Sequence, residues 1–211
     1  MNITLNNNDN HARSIYTASM KKFLAILILI FTLQTPSWAD DIRDFQIEGM
    51  SVGDSLLDFM SESEIKNKSA DTHYYKSRKY VYYFYPSLDF LKTYNNIQVT
   101  VKGNDKDYKI YGLDGVIRFR NNIKSCHKKQ NEIKKELDEI FISNAEKDTD
   151  KHPGYKDSTY IRYTYYLSDG AQAEVICYDM SKKLEKKGKW DSLYVSLASV
   201  EFKKFLTHEA Y

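Results

Sequence analysis

The chain has 211 residues, 42% of them hydrophobic, and its 31 basic and 29 acidic side chains give a formal charge of +2. Charges this evenly balanced and interspersed leave no basic stripe of the kind that neutralises phosphates, which argues against a nucleic-acid partner. The length suits one ordinary hydrophobic core, with no need for a metal or a dense disulfide framework.

The first predicted element lies in "MKKFLAILILIFTLQTPSWADD", which starts at Met20. Lys21 and Lys22 form a positive n-region, Phe23 to Leu33 an apolar h-region, and Ser37-Trp38-Ala39 puts small residues at the two positions a signal peptidase reads. The apolar run is interrupted by Gln34 and Pro36. It is thus too short to span a bilayer, which takes about 20 residues. Residues 1–39 are therefore expected to be a signal peptide cut between Ala39 and Asp40, leaving residues 40–211 as one periplasmic or secreted domain with no transmembrane segment. The polar, asparagine-rich stretch before Met20 either extends the n-region or precedes a true start at Met20. The residue directly after Ala39 is Asp40 and not a cysteine, so lipid-modified export is not indicated.

Two capping boxes come next. Ser51-x-x-Asp54 precedes Leu56, Leu57, Phe59 and Met60, and Ser61-x-x-Glu64 precedes Ile65, predicting two short helices. "KYVYYFY", ending at Pro86, and "NNIQVTVKG", which alternates Ile97, Val99 and Val101 with polar neighbours, predict strands. "YKIYGLDGVIRFR" predicts a third, with Gly112 and Gly115 marking a bend or bulge. A long helix capped by Asn121 or Asn122 follows, in which Ile123, Cys126, Gln130, Ile133, Leu137 and Ile140 recur at spacings of three and four on one face. A loop around "DTDKHPGYKDS" leads to "TYIRYTYYL", the turn "SDG" and "AQAEVICYD", a hairpin. "SLYVSLA" predicts a last strand, and Ser199 caps a final helix carrying Val200, Phe202, Phe205 and Leu206.

The predicted fold class is α+β in the order α-βββ-α-βββ-α, an antiparallel sheet with helices packed on one face and a pseudo-repeat of its two halves left open. Cys126 faces inward on its helix, and Cys177 faces inward on a strand where Ala171, Ala173 and Val175 share its side. An even cysteine count in an exported chain reads as a bridge. Closing the intervening segment is worth up to about 4 kcal/mol in the chain-entropy model.

If Cys177 faces the helix, Tyr160, Arg162 and Tyr166 fall on the other side of the sheet with Tyr178 and Tyr194, and Gln98 and Thr100 join them. Tyrosine, 18 residues in all, combines contact area, a polar tip and low ordering cost, which suits a binding face. A ladder of cross-strand tyrosines with no ligand is the competing reading.

No nucleophile elbow, zinc-binding helix motif, P-loop or dinucleotide fingerprint is present. The histidines lack ligand spacing, and "DTDKHPG" fails as a calcium loop because His152, Pro153 and Thr159 stand where ligands and a glycine belong. The expectation is accordingly an exported, non-catalytic binding or interaction module of the bacterial envelope, without metal or cofactor, engaging a protein or small ligand through the tyrosine-rich face. The alternative is an envelope enzyme whose carboxylates or tyrosines are grouped only in three dimensions.

"IEGMSVGDSLLDFMSESE", Ile47 to Glu64, with an apolar residue before Gly-Met-Ser and a short helix, resembles the opening of the BamE (SmpA) family of small outer-membrane assembly lipoproteins. The resemblance covers those residues alone and implies an α+β protein with helices on a small antiparallel sheet. It also implies a protein-binding role, and it carries over no functional residue. The chain as a whole looks like small uncharacterised exported bacterial proteins.

Overall fold

The computed structural model describes residues 41–141 and 144–210; the expected signal peptide, its cleavage point and both candidate starts lie outside the described residues. Eight strands are described: β1 (Asp71–Tyr74), β2 (Tyr80–Tyr85), β3 (Asn96–Lys102), β4 (Ile110–Arg120), β5 (Glu146–His152), β6 (Tyr155–Tyr166), β7 (Gln172–Asp179) and β8 (Asp191–Ala198). They form one antiparallel sheet in the order β1-β2-β3-β4-β8-β7-β6-β5. The helices are α1 (Glu62–Asn67), α2 (Ile123–Asp138), α3 (Lys182–Glu185) and α4 (Val200–His208), and 3-10 turns occupy Ile42–Asp44 and Leu56–Asp58. The protein is α+β with an antiparallel sheet.

The expected order α-βββ-α-βββ-α is corrected to four strands in each half. Both added strands are sheet edges, β1 with the sequence DTHY and β5 with EKDTDKH. All of β1 is exposed and β5 nearly so, and an edge strand that buries neither face carries no alternating apolar signal. The expected "DTDKHPGYKDS" loop is the β5–β6 hairpin, turning at Pro153-Gly154.

Where the first helix is expected, only the 3-10 turn Leu56–Asp58 forms, and its cap is Ser55 rather than Ser51. Asp54 does accept the Ser51 N–H at 2.8 Å, but the Ser51 hydroxyl donates to the Phe45 carbonyl, and Gly53 takes φ +102 and donates its N–H to Ile110. That positive φ diverts the chain from a helical path. The second box is complete: the Ser61 side chain accepts from Glu64 N–H while Glu64 accepts from Ser61 N–H, starting α1.

Pairing separates the two sheet faces. Cys177, Leu193, Ile117 and, two positions along, Val175, Val195, Gly115 and Ile97 share one face. The Cys126–Cys177 disulfide ties α2 to this face, and Ile47, Met50, Leu56 and Ile65 from the N-terminal segment complete its core. Cys126 and Gln130 are the buried residues of α2, whereas Ile140, expected on the buried stripe, lies past the helix end and is exposed. Gln130 donates from Nε2 to the carbonyls of Ile161 at 2.7 Å and Val175 at 2.9 Å, joining α2 to β6 and β7. Gln130→Leu keeps volume and removes both donors, so urea unfolding should show a loss of about 2 kcal/mol. A loss below about 0.5 kcal/mol would show that these carbonyls do not depend on Gln130.

The helices do not all lie on one face. A Cβ at Gly112 would meet Phe202 of α4 at 2.7 Å, and Gly112 pairs with Thr100 and Ala198 on the face opposite Cys177. Phe202 and Phe205 pack there with Tyr80, Tyr75 and Tyr111. Gly115, on the Cys177 face, is needed for the Tyr94 ring, which would stand 2.6 Å from its Cβ. Close ring approach, as well as the register shift between Thr100 and Val101, accounts for the two glycines of β4.

Candidate functional site

The face opposite Cys177 is built in rows by strand register. One row runs Gln98, Asp114, Ser196, Glu174 and Thr164 across β3, β4, β8, β7 and β6. The next runs Val116, Tyr194, Ile176 and Arg162, and beyond it lie Ser192, Tyr178 and Tyr160. On the other flank stand Thr100, Gly112, Ala198, Gln172 and Tyr166. All seven residues singled out in the sequence therefore share this face.

Two adjoining clefts hollow it. The first, about 370 Å³, lies between the sheet and α4; Gln98, Thr100, Arg162, Tyr178 and Tyr194 line it, as do Asp114 and Glu174. The second, about 590 Å³, is bounded by the β5–β6 turn and the segment before β8, and shares Tyr82, Gln98 and Tyr194 with the first. Tyr160 stands beside the clefts, and Tyr166, 44% exposed, lies near the β5 side of the sheet. Thr100 is buried.

Polar contacts order the floor. Tyr160 Oη and Arg162 Nη2 each donate to Asp148 Oδ2 at 2.7 Å, and these contacts, the tyrosine hydroxyl's foremost, hold the Asp148 carboxyl below the usual range. Arg162 Nη1 and Lys203 Nζ approach Glu174 Oε1 at 3.8 and 3.9 Å. Asp114 has no such cation; burial pushes its carboxyl up to about 6, the Ser196 hydroxyl opposes this, and Glu174 adds to it. Tyr178 packs edge-on against Tyr194 at 5.3 Å and lies 4.7 Å from the His152 ring. Burial raises the Tyr178 phenol and carries that of Tyr194 up to about 12, so both stay protonated donors at neutral pH.

Asp114 and the Trp190 side of the second cleft were not singled out in the sequence. Asp114 sits in "GLDG", where flanking glycines mask the alternation, and "KKGKW" reads as an ordinary charged loop. His152, which reads as a surface residue, is half-buried between Tyr155 and Tyr178. Among the described residues no group of acids, histidines and cysteines is placed to hold a metal.

Fold and site together define a class: an α+β protein on an open eight-stranded antiparallel sheet, one face closed by a disulfide-tied helix and the other hollowed into polar, tyrosine-lined clefts. No protein family, curated protein or solved structure matches the chain.

Proposed function

We propose that the protein is an exported, non-catalytic binding module of the bacterial envelope that takes a small ligand on its tyrosine-rich sheet face. The observation that carries this reading is concavity. Two clefts totalling a ligand-sized volume meet over Tyr194, and pockets of about 300–1,000 Å³ are the usual scale for small-molecule sites, whereas a protein-docking face would be broader and flatter. Export is supported by the Cys126–Cys177 bridge, which fits an oxidising compartment, and by the n-region, h-region and small-residue pattern before Asp40. Among the described residues no helix is long and apolar enough to cross a membrane. The likeness of residues 47–64 to the BamE (SmpA) opening supports an envelope setting. An internal pseudo-repeat is supported by strand order alone, because α2 and α4, which follow β4 and β8, lie on opposite faces.

The test is ligand retention. Native mass spectrometry of the protein incubated with a small-molecule extract of the envelope fraction should show a bound mass, and Tyr194→Ser should weaken its retention tenfold or more. Tyr166→Ser, at an exposed site, should leave both retention and stability within about 0.5 kcal/mol of the parent. No bound mass, or equal retention by the folded Tyr194→Ser protein, would end the reading.

One observation favours the enzyme reading: Asp114, with its raised pKa, and Glu174 line the same cleft. Two carboxyls in one cleft, one of them raised by burial, suit general acid–base work. Asp114→Asn separates the readings by turnover: an enzyme should convert its substrate with the parent and fail to convert it with the variant, whereas a binding module should convert nothing with either.

A further inference from the structure

The larger cleft is lined by two cations held against aromatic rings, Arg118 and Lys189, with Arg120 near the same indole outside its lining and Asp71 the one acid within it. The Arg118 guanidinium lies 5.5 Å from the Trp190 ring centre and that of Arg120 lies 5.9 Å from it, while Lys189 Nζ stands 5.6 Å from the Tyr155 ring. Among the described residues none of these three cations forms an ion pair with a carboxylate, in contrast to Arg162 in the neighbouring cleft. Aromatic faces hold them instead, and a guanidinium stacked on a ring keeps its N–H edge free for a planar oxyanion. His152 adds no charge at neutral pH: its Nδ1 accepts the Gly154 N–H at 3.0 Å, and burial holds it below the usual imidazole range. Of the residues lining this cleft, Asp71 is the one acid, and Phe84, Val116 and Tyr194 supply an apolar, partly aromatic surface.

We infer that this cleft binds a small organic anion with a flat apolar body, its carboxylate or sulfonate meeting Arg118 and Lys189 and its body lying along Phe84, Val116 and Tyr194. Like charges lining one cleft repel one another, and an anion arriving between them removes that repulsion. The volume, about 590 Å³, admits a ligand of that size. The acids of the adjoining cleft, Asp114 and Glu174, would repel the anionic end, so they fix the direction in which a ligand spanning both clefts lies. This inference rests on the tyrosine face being a binding face.

The chain has two tryptophans, Trp38 and Trp190, so in the full chain carrying Trp38→Phe the emission excited at 295 nm reports on the cleft alone. Titration with 3-phenylpropanoate, 3-phenylpropylamine and 3-phenylpropanol compares anion, cation and neutral body on one skeleton. The expected result is a saturable change with the anion, at least tenfold tighter than with the amine, weakened by raised salt and weakened tenfold or more by Arg118→Gln. Lys189→Gln, in the segment before β8, serves as a second variant should Arg118→Gln fail to fold. Equal response to the three probes, preference for the amine, or an unchanged affinity in the folded charge variants would overturn the assignment. If that happens while Tyr194→Ser still abolishes retention of the envelope ligand, the anion assignment falls and the binding-face reading stands.

Discussion

Replacing both Cys126 and Cys177 by Ala should cost about 4 kcal/mol of unfolding free energy, the chain-entropy value for a cross-link between residues 51 apart in sequence. The bridge is the one covalent tie in a thin set of contacts beneath α2, beside the Gln130 hydrogen bonds and a few half-buried apolar residues. Of the sixteen residues of that helix only Cys126 and Gln130 are buried, Ile123, Ile133 and Leu137 pack partly buried against the core, and its outer side carries lysines and acids such as the Lys129–Glu132 pair, worth a few tenths of a kcal/mol at most. Loss of the bridge should therefore be felt locally first. Amides of α2 should exchange much faster than those of β7 and β8 under native conditions, while guanidinium denaturation reads the global loss. Each single Cys→Ala variant should cost nearly as much as the double, because either one opens the same loop. A global loss under about 1 kcal/mol, with α2 still protected from exchange, would show that side-chain packing rather than the cross-link holds the helix down.

What the sequence made legible follows from burial. Strands β6 and β7 bury one face, so their alternation named which residues point away from Cys177, and the pairing of Tyr160 with Tyr178 and of Ile161 with Cys177 has that register. The facing of Cys126 was legible for the same reason, since a helix stripe must match the surface beneath it. The edges were not. β1 and β5 are held by backbone hydrogen bonds and bury almost no side chain, so DTHY and EKDTDKH read as loop. The Ser51-Asp54 box misled because its side chains are right for a helix while Gly53 between them adopts a left-handed backbone. In the site, Tyr178, Tyr194 and Arg162 were visible from strand parity, but Asp114 gains its character from burial within the folded cleft and from Glu174 two strands away. The Arg118–Trp190–Lys189 grouping joins the end of β4 to the segment before β8, which no local spacing encodes.

Asp114→Asn should stabilise the protein at pH 7.5 by up to about 3 kcal/mol, the equivalent of a shift of about two pH units at ~1.4 kcal/mol each. The carboxyl titrates at about 6 in the folded chain against about 3.9 when unfolded. Between those values the folded state binds a proton that the unfolded state does not, so this group's contribution to stability falls as pH rises through the window and the penalty is complete above it. Below about pH 3 both states are protonated and the penalty vanishes, which is where parent and variant should converge. The groups that face Asp114 set the sign. Glu174 repels its charge, the Ser196 hydroxyl supports it, and the nearest cations of that cleft, Arg162 and Lys203, are engaged with Glu174 instead. Other carboxyls move the other way: those of Glu48 and Asp138 lie below the usual range, Glu48 through the backbone N–H groups of Tyr94, Thr93 and Lys92, and Asp138 through Lys134 and the Tyr165 hydroxyl. Subtracting the two unfolding curves measured from pH 3 to pH 8 cancels their effect and isolates Asp114. A difference that is flat with pH, or a variant less stable than the parent at pH 7.5, would show that a partner already satisfies the ionised carboxylate. The expected outcome instead leaves a domain, stable by some 5–15 kcal/mol, that keeps a costly unpaired carboxylate in its cleft, a cost that makes sense when a ligand's N–H, O–H or positive charge meets it.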